Sequence, residues 1–259
     1  MTGLATAGLA CRRGPRRVLD EVSLAFTAGV VTAIVGPNGS GKTTLLRHLA
    51  GLEAPAAGTV TLDGQPLATL GPAQRARRIA FLPQSIQAYW PLLGRDLVAL
   101  GRLPHGADLA RPLAEADAAA IARALDRVDG QPLADRPIDA LSQGERARLM
   151  LARALATEAP VLLADEPVAS LDPAYALDTM AVLRAEAARG GSVVVSLHDL
   201  GLAARFADRV VVLADGRVLA DGPAAAALQP AIIEAAYGVG FRTISVDGQP
   251  VPVAWSRRA

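Results

Sequence analysis

Apolar positions along this chain follow two patterns. Some runs are continuous: Val30-Val31-Thr32-Ala33-Ile34-Val35, Val161-Leu162-Leu163-Ala164 and Ser192–Leu197 are short, rich in Val, Ile and Leu, and bounded by glycine or acidic residues. Such runs predict strands covered on both faces. Residues 3–10, 17–27 and 57–63 predict further short strands, the last turning at Asp63-Gly64, and residues 209–213 and 217–220 predict a hairpin about Asp215-Gly216. Between them, residues 43–50, 173–189 and 199–206 carry helical periodicity, the first ending at Gly51. Strand and helix in alternation predict an α/β fold with a parallel sheet and crossover helices. Residues 84–155 differ: alanine-rich helical segments such as 115–128 are broken by Pro104, Pro112, Pro132 and Pro137. Inserted between strands, this stretch is expected to form its own helical lobe. The expected division is 1–83 with 156–229 as the core, 84–155 as the lobe and 230–259 as a C-terminal tail. Val246-Asp247-Gly248-Gln249 in that tail reads as a hairpin turn without a derivable function.

Composition narrows the class. A chain of 259 residues can bury one substantial core, alone or with an attached lobe. Its formal net charge of +1 offers no nucleic-acid surface. The densest basic patch, Arg12-Arg13 with Arg16-Arg17, reads as a solvated turn between two strands. A single cysteine, Cys11, excludes a disulfide framework or a cysteine metal cluster and fits a reducing cytoplasm. Residues 1–11 read as a first strand and not as a secretory leader, because no basic segment precedes the apolar residues and Gly3, Thr6 and Gly8 interrupt them. No uncharged apolar run reaches the roughly 18 residues that a membrane span requires.

Of the 26 Lys and Arg residues only one is lysine, and it lies in Gly36-Pro37-Asn38-Gly39-Ser40-Gly41-Lys42-Thr43. This octapeptide fits the phosphate-binding loop G-x-x-x-x-G-K-[ST] at every fixed position. A compact ammonium reaches between phosphates where a planar guanidinium fork does not fit equivalently, so lysine here is not interchangeable with the arginine used elsewhere. A strand, a glycine-rich loop and a helix start at Thr43-Thr44 together make an anion site from backbone N–H groups and the helix dipole. A nucleoside triphosphate is the expected ligand. Downstream, the strand Val161–Ala164 ends in Asp165-Glu166. In P-loop hydrolases the first such acid helps hold Mg²⁺ opposite the loop's Thr. The second is placed to polarise the attacking water.

About 20 residues before that pair stands Leu141-Ser142-Gln143-Gly144-Glu145. Ser142 and Glu145 have capping-box spacing, and a helix start with serine and glycine is also an anion site. The whole pattern resembles the ATP-binding subunit of ABC transporters, over roughly residues 3 to 225. The resemblance implies a P-loop NTPase core of RecA type, an N-terminal antiparallel β subdomain and an inserted helical signature lobe. Ser142-Gln143-Gly144-Glu145 becomes the signature loop, facing the γ-phosphate held by a second copy of the chain. Gln84 becomes the glutamine joining core to lobe, Ala169-Ser170-Leu171-Asp172 the aspartate loop and His198 the switch histidine. The implied site then comprises ATP on Gly36 to Thr44 (Gly36, Pro37, Asn38, Gly39, Ser40, Gly41, Lys42, Thr43, Thr44), Mg²⁺ at Thr43, Asp165 and Gln84, Glu166 as general base, and His198 on the γ-phosphate, with Lys42 neutralising charge. Ser142 and Gly144 complete the partner copy's site.

Three positions depart from the family pattern. Gln143 replaces a glycine, Ala164 replaces a bulkier aliphatic, and Arg12 or Arg13 stands where an aromatic ring usually stacks on adenine. A planar guanidinium can take over that stacking. Leu82-Pro83-Gln84, Val98–His105 and Ser196–Leu200 resemble the importers of iron–siderophore complexes, haem and cobalamin. The expectation is therefore a cytoplasmic, peripheral ATPase. It would work as a homodimer, with two membrane permease subunits and, indirectly, an extracytoplasmic solute-binding protein, and without nucleic acid. A GTPase is excluded because the guanine-reading N-K-x-D motif needs a second lysine. A soluble ABC-type ATPase without a permease is the alternative, although paired cassettes or long inserted coiled coils are absent. A purely regulatory nucleotide module would require a non-acidic residue at 166.

Overall fold

The computed structural model describes residues 3–84 and 92–257. In chain order its strands and helices are β1 (Gly3–Arg13), β2 (Arg16–Thr27), β3 (Val31–Val35), α1 (Lys42–Leu49), β4 (Ala57–Leu62), β5 (Gln65–Pro66), α2 (Pro72–Arg78) and β6 (Ile79–Leu82). The lobe follows with α3 (Gly94–Ala99), α4 (Glu115–Arg127) and α5 (Gln143–Ala156). Then come β7 (Val161–Asp165), α6 (Pro173–Ala188), β8 (Ser192–Ser196), α7 (Leu200–Phe206), β9 (Arg209–Ala214), β10 (Arg217–Pro223), α8 (Ala224–Ala227), α9 (Pro230–Tyr237), β11 (Val239–Val246) and β12 (Gln249–Arg257). Residues 85–91 of the expected lobe lie outside the described residues, as do 1–2 and 258–259 at the ends of the chain.

The central sheet has the order β10-β9-β3-β8-β7-β6. Its neighbours pair in parallel from β9 to β6, and β10 is antiparallel to β9. A separate antiparallel sheet, β2-β1-β4-β5, covers one face. The two-residue period of a strand explains the continuous apolar runs. On β3, Val31, Ala33 and Val35 join a core shared with the lobe and helices α6 and α7, whereas Ile34 joins a second core beneath the antiparallel sheet. Helix α1 is part of that second core, where its Leu45, Leu46 and Leu49 are fully buried against Leu4, Leu19 and Phe26. The helix that begins at the phosphate loop is thus fixed on three apolar side chains.

Two elements go beyond the sequence pattern. Strand β6 has only four residues and follows α2 without a loop, so neither element fills a periodicity window. Strand β1 continues to Arg13 through register shifts between Thr6 and Leu9 and again around Cys11. Such bulges break alternation without ending a strand. The segment after residue 229 is anchored: Ile233 of α9 is fully buried in the main core, and β12 lies against α7. The hairpin turns where expected, with Val246 paired to Gln249. Among the described residues no helix is long and apolar enough to cross a membrane.

Candidate functional site

Four neighbouring parallel strands release their functional residues at the same edge of the sheet, their carboxyl ends, where open α/β sheets hold ligands. Strand β3 leads into the glycine-rich loop, β7 ends at Asp165, β8 precedes His198 and β6 precedes Gln84. The loop closes on α1 through Gly41, whose φ is +107°. A Cβ there would lie 2.8 Å from both the Val18 carbonyl oxygen and the Leu19 side chain, so the turn requires glycine on steric as well as conformational grounds. Lys42 is buried and donates through Nζ to the carbonyls of Gly36 (2.8 Å) and Pro37 (3.2 Å). Burial pulls its ammonium below the usual lysine range, while Glu166 and Asp165 act in the opposite direction. The Ser40 hydroxyl is buried and makes no hydrogen bond among the described residues.

The two acids are held differently. Thr43 Oγ1 donates to Asp165 Oδ1 at 3.2 Å, and Ser196 Oγ donates to the same oxygen at 2.7 Å. Glu166 follows the strand at φ +49°, a left-handed conformation that a non-glycine residue keeps only when its surroundings hold it there. The grip is visible: the Glu166 N–H donates to Ser196 Oγ at 2.8 Å, Gln84 Nε2 donates to Oε2, and His198 Nε2 meets Oε1. Gln84 and His198 are therefore brought to Glu166, and both carboxylate oxygens already carry a partner. Ser196 is the functional residue that the sequence reading missed. Its one visible signal was a hydroxyl ending the all-valine run of β8, and register alone sets it opposite Asp165.

Beside the loop lies a cleft of about 360 Å³ lined by Arg13, Arg16, Val18, Asn38, Gly39, Thr44 and Glu166, among others. This separates the two arginine candidates. Arg13 lines the cleft, with Nη2 3.5 Å from Glu53 Oε1, whereas Arg12 is outside the lining and donates to the Pro15 carbonyl at 2.9 Å. Arg16, read from the sequence as a solvated turn residue, also lines the cleft, because β1 and β2 run on to the tip of their hairpin and carry it over Gly39.

Ser142 and Gly144 are absent from that cleft's lining. Ser142 caps α5, accepting from the Glu145 N–H at 3.3 Å, and Glu145 accepts in return from the Ser142 N–H at 2.8 Å. The Ser142 N–H, and after it Arg136, hold the Glu145 carboxyl below its ordinary range. Ser142 and Gln143 are exposed. A second cleft, of about 350 Å³, brings Gln143 and Arg146 to Gln84 and Glu166 of the same chain.

Residues 19–169 match the family model described as ABC transporter. The hemin import ATP-binding protein HmuV of Nocardia farcinica is 48% identical over 225 residues, which cover 86% of this chain and 77% of that protein. The cobalamin import ATP-binding protein BtuD of Halobacterium salinarum is 42% identical over 96% of this chain and 64% of its own length. Among solved structures, a metal-chelate type ABC transporter in an inward-facing conformation shares the fold with a TM-score of 0.85 at 23% identity, covering 98% of both chains. A nucleotide-free ATP-binding cassette gives 0.77 at 25% identity, covering 86% of this chain and 92% of its own. On the family match and on this identity across most of its length, the chain belongs to the ATP-binding cassettes of ABC transporters.

Proposed function

We propose that this chain is the ATPase subunit of a metal-chelate importer, with haem as the first candidate solute. One observation carries the reading: Lys42, Asp165, Glu166, Gln84 and His198 converge at the carboxyl ends of adjacent strands. Residues Gly36 to Thr44 receive the triphosphate, and the Ser40 hydroxyl, which has no partner among the described residues, supports this, since a phosphate oxygen would satisfy it. Thr43 and Asp165 present hard oxygens at one point, a donor set that suits Mg²⁺, with Gln84 completing its surroundings. Mg²⁺, when bound, neutralises phosphate charge. Glu166 takes the proton of the attacking water. Each of its oxygens keeps a second lone pair for that water, and a γ-phosphate oxygen competes with Glu166 for the His198 N–H. Arg13 stacks on adenine.

Ser142 and Gly144 serve the nucleotide of a second copy, so the working unit is a homodimer. A dimeric bacterial ABC transporter cassette that is 26% identical to this chain supports such pairing. The dimer sits on the cytoplasmic side against two permease subunits, fed by an extracytoplasmic solute-binding protein. The hemin and cobalamin import names of the relatives support the solute class. The test is co-expression with a permease pair and reconstitution into proteoliposomes containing Mg-ATP. Uptake of haem in preference to cobalamin, abolished by Glu166→Gln, is the expected result. ATP hydrolysis by a chain that associates with no membrane subunit would overturn it in favour of a soluble ABC-type ATPase.

A further inference from the structure

Tyr175, on the first turn of α6, touches two motifs that sequence alone keeps apart. Its backbone N–H donates to Asp172 Oδ1 at 3.1 Å, so it is tied to the aspartate loop. That loop begins on the proposed general base: the Ala169 N–H donates to the Glu166 carbonyl at 3.1 Å. The ring of Tyr175 lies against Gly144. A Cβ built at Gly144 would come within 2.8 Å of Cδ2, 2.9 Å of Cε2 and 3.0 Å of Cγ. Because the contact reaches Cγ, the ring cannot clear such a Cβ by moving its tip and would have to change rotamer. The Arg148 guanidinium limits that freedom: it sits 5.1 Å from the ring centroid, and its far nitrogen is 3.6 Å from Asp178.

We propose that Tyr175 is a positioning residue coupling the two nucleotide sites of the dimer. This rests on the reading that Ser142 and Gly144 serve the partner copy's nucleotide. On that reading one chain contributes Glu166 to one site and its signature loop to the other. The path Glu166, Ala169, Asp172, Tyr175, Gly144 then joins the two sites within a single chain. A shift of the aspartate loop when Glu166 is released moves the ring, and the ring moves the start of α5. Coupling of this kind needs an element both sites can bias, and a half-buried aromatic packed directly on backbone transmits displacement without slack.

The experiment compares Tyr175→Ala, Tyr175→Phe, Gly144→Ala and the double variant Gly144→Ala/Tyr175→Ala in full-length protein with Mg-ATP. Tyr175→Ala is expected to lower kcat on the order of 10- to 100-fold, the scale of a small misplacement away from the chemistry, and to bring the Hill coefficient for ATP down to 1. Binding of a non-hydrolysable ATP analogue to the isolated monomer stays unchanged. Tyr175→Phe keeps the ring and with it both rate and cooperativity. Gly144→Ala is inactive, and removal of the ring in the double variant restores part of its activity. Cooperativity retained in Tyr175→Ala beside an inactive Gly144→Ala overturns the coupling and leaves the signature-loop reading intact. A fully active Gly144→Ala, or a wild-type Hill coefficient of 1, overturns the coupling as well; only the active Gly144→Ala also removes the reading beneath it.

Discussion

The two halves of the nucleotide machinery are built to different degrees of completion within one chain. The phosphate-loop half is assembled: Lys42, Asp165, Glu166 and Ser196 are buried, and Glu166 has a partner on each oxygen while held at positive φ. The signature half is a helix start at the surface, where Ser142 and Glu145 form a capping box, Arg136 meets the Glu145 carboxylate and Tyr175 packs on Gly144. A buried polar cluster is specified by its own fold, because each member must be satisfied locally. An exposed helix N-terminus with free N–H groups is specified by what docks on it. On the proposed reading, the contrast marks where a second copy would complete the site.

The sharpest way to break this comparison is Glu166→Gln. The amide keeps size and hydrogen bonding but cannot accept a proton, so hydrolysis should fall by about 10²- to 10⁴-fold. ATP binding should survive and a nucleotide-trapped dimer should accumulate on size exclusion. Turnover near wild type would show that the assembled half is structural and not catalytic.

The complementary change is Ser142→Ala on the exposed half. Losing the N-cap hydroxyl costs about 1 kcal/mol of stability, read as a fall of a few degrees in Tm. Glu145 adds a pH signature. Its carboxyl is held below the usual range in the fold, so the stability it contributes is present above the unfolded carboxyl range and lost as pH falls through its depressed value. The Tm difference between Glu145→Gln and wild type should therefore narrow in acid, whereas that of Ser142→Ala, which keeps the Ser142 N–H and Arg136 on the carboxylate, should change little with pH. A Glu145→Gln difference independent of pH down to that range would mean that the Glu145 charge does not act through the capping box.

Legibility followed the same division. The glycine-rich loop and Asp165-Glu166 could be read because their spacing is dictated by local backbone chemistry, and His198 just past β8 because the family resemblance points to it. Ser196 could not, because its partnership with Asp165 arises only when β7 and β8 pair in register. Arg16 is exposed as read, yet that it also lines the cleft could not be foreseen, because the extent of β1 and β2 past their bulges sets which side of the turn faces Gly39. Residues after 229 were read as a tail, yet one buried side chain, Ile233, joins α9 to the main core, a contact that no periodicity in eight residues announces.

Arg13→Ala probes the cleft at finer scale. Loss of guanidinium stacking on adenine should weaken ATP binding by about 1 kcal/mol, roughly fivefold in Kd, and tyrosine at 13 should restore it. Arg12→Ala should leave Kd unchanged, because its side chain serves the Pro15 carbonyl. Equal affinity in Arg13→Ala and wild type, measured by calorimetry, would leave binding to the phosphates alone.

The smallest expected effect lies where the C-terminal segment meets the assembled half. Burial pushes the Tyr237 phenol up to about 12, and the Gly36 backbone works the other way. The hydroxyl thus stays buried and makes no hydrogen bond among the described residues. An orphaned hydroxyl carries a desolvation cost with nothing returned, typically about 1 kcal/mol or more. Tyr237→Phe keeps the ring, which packs edge-on against Phe241 at 5.8 Å, and removes only the oxygen. Stability should rise slightly or hold, with Tm unchanged or higher by a few degrees and ATP affinity unaltered. Should Tm fall together with ATP affinity, the hydroxyl supports the Gly36 peptide that Lys42 grips from its carbonyl side, and the assembled half would then depend on the chain's last helix as well as on its strands.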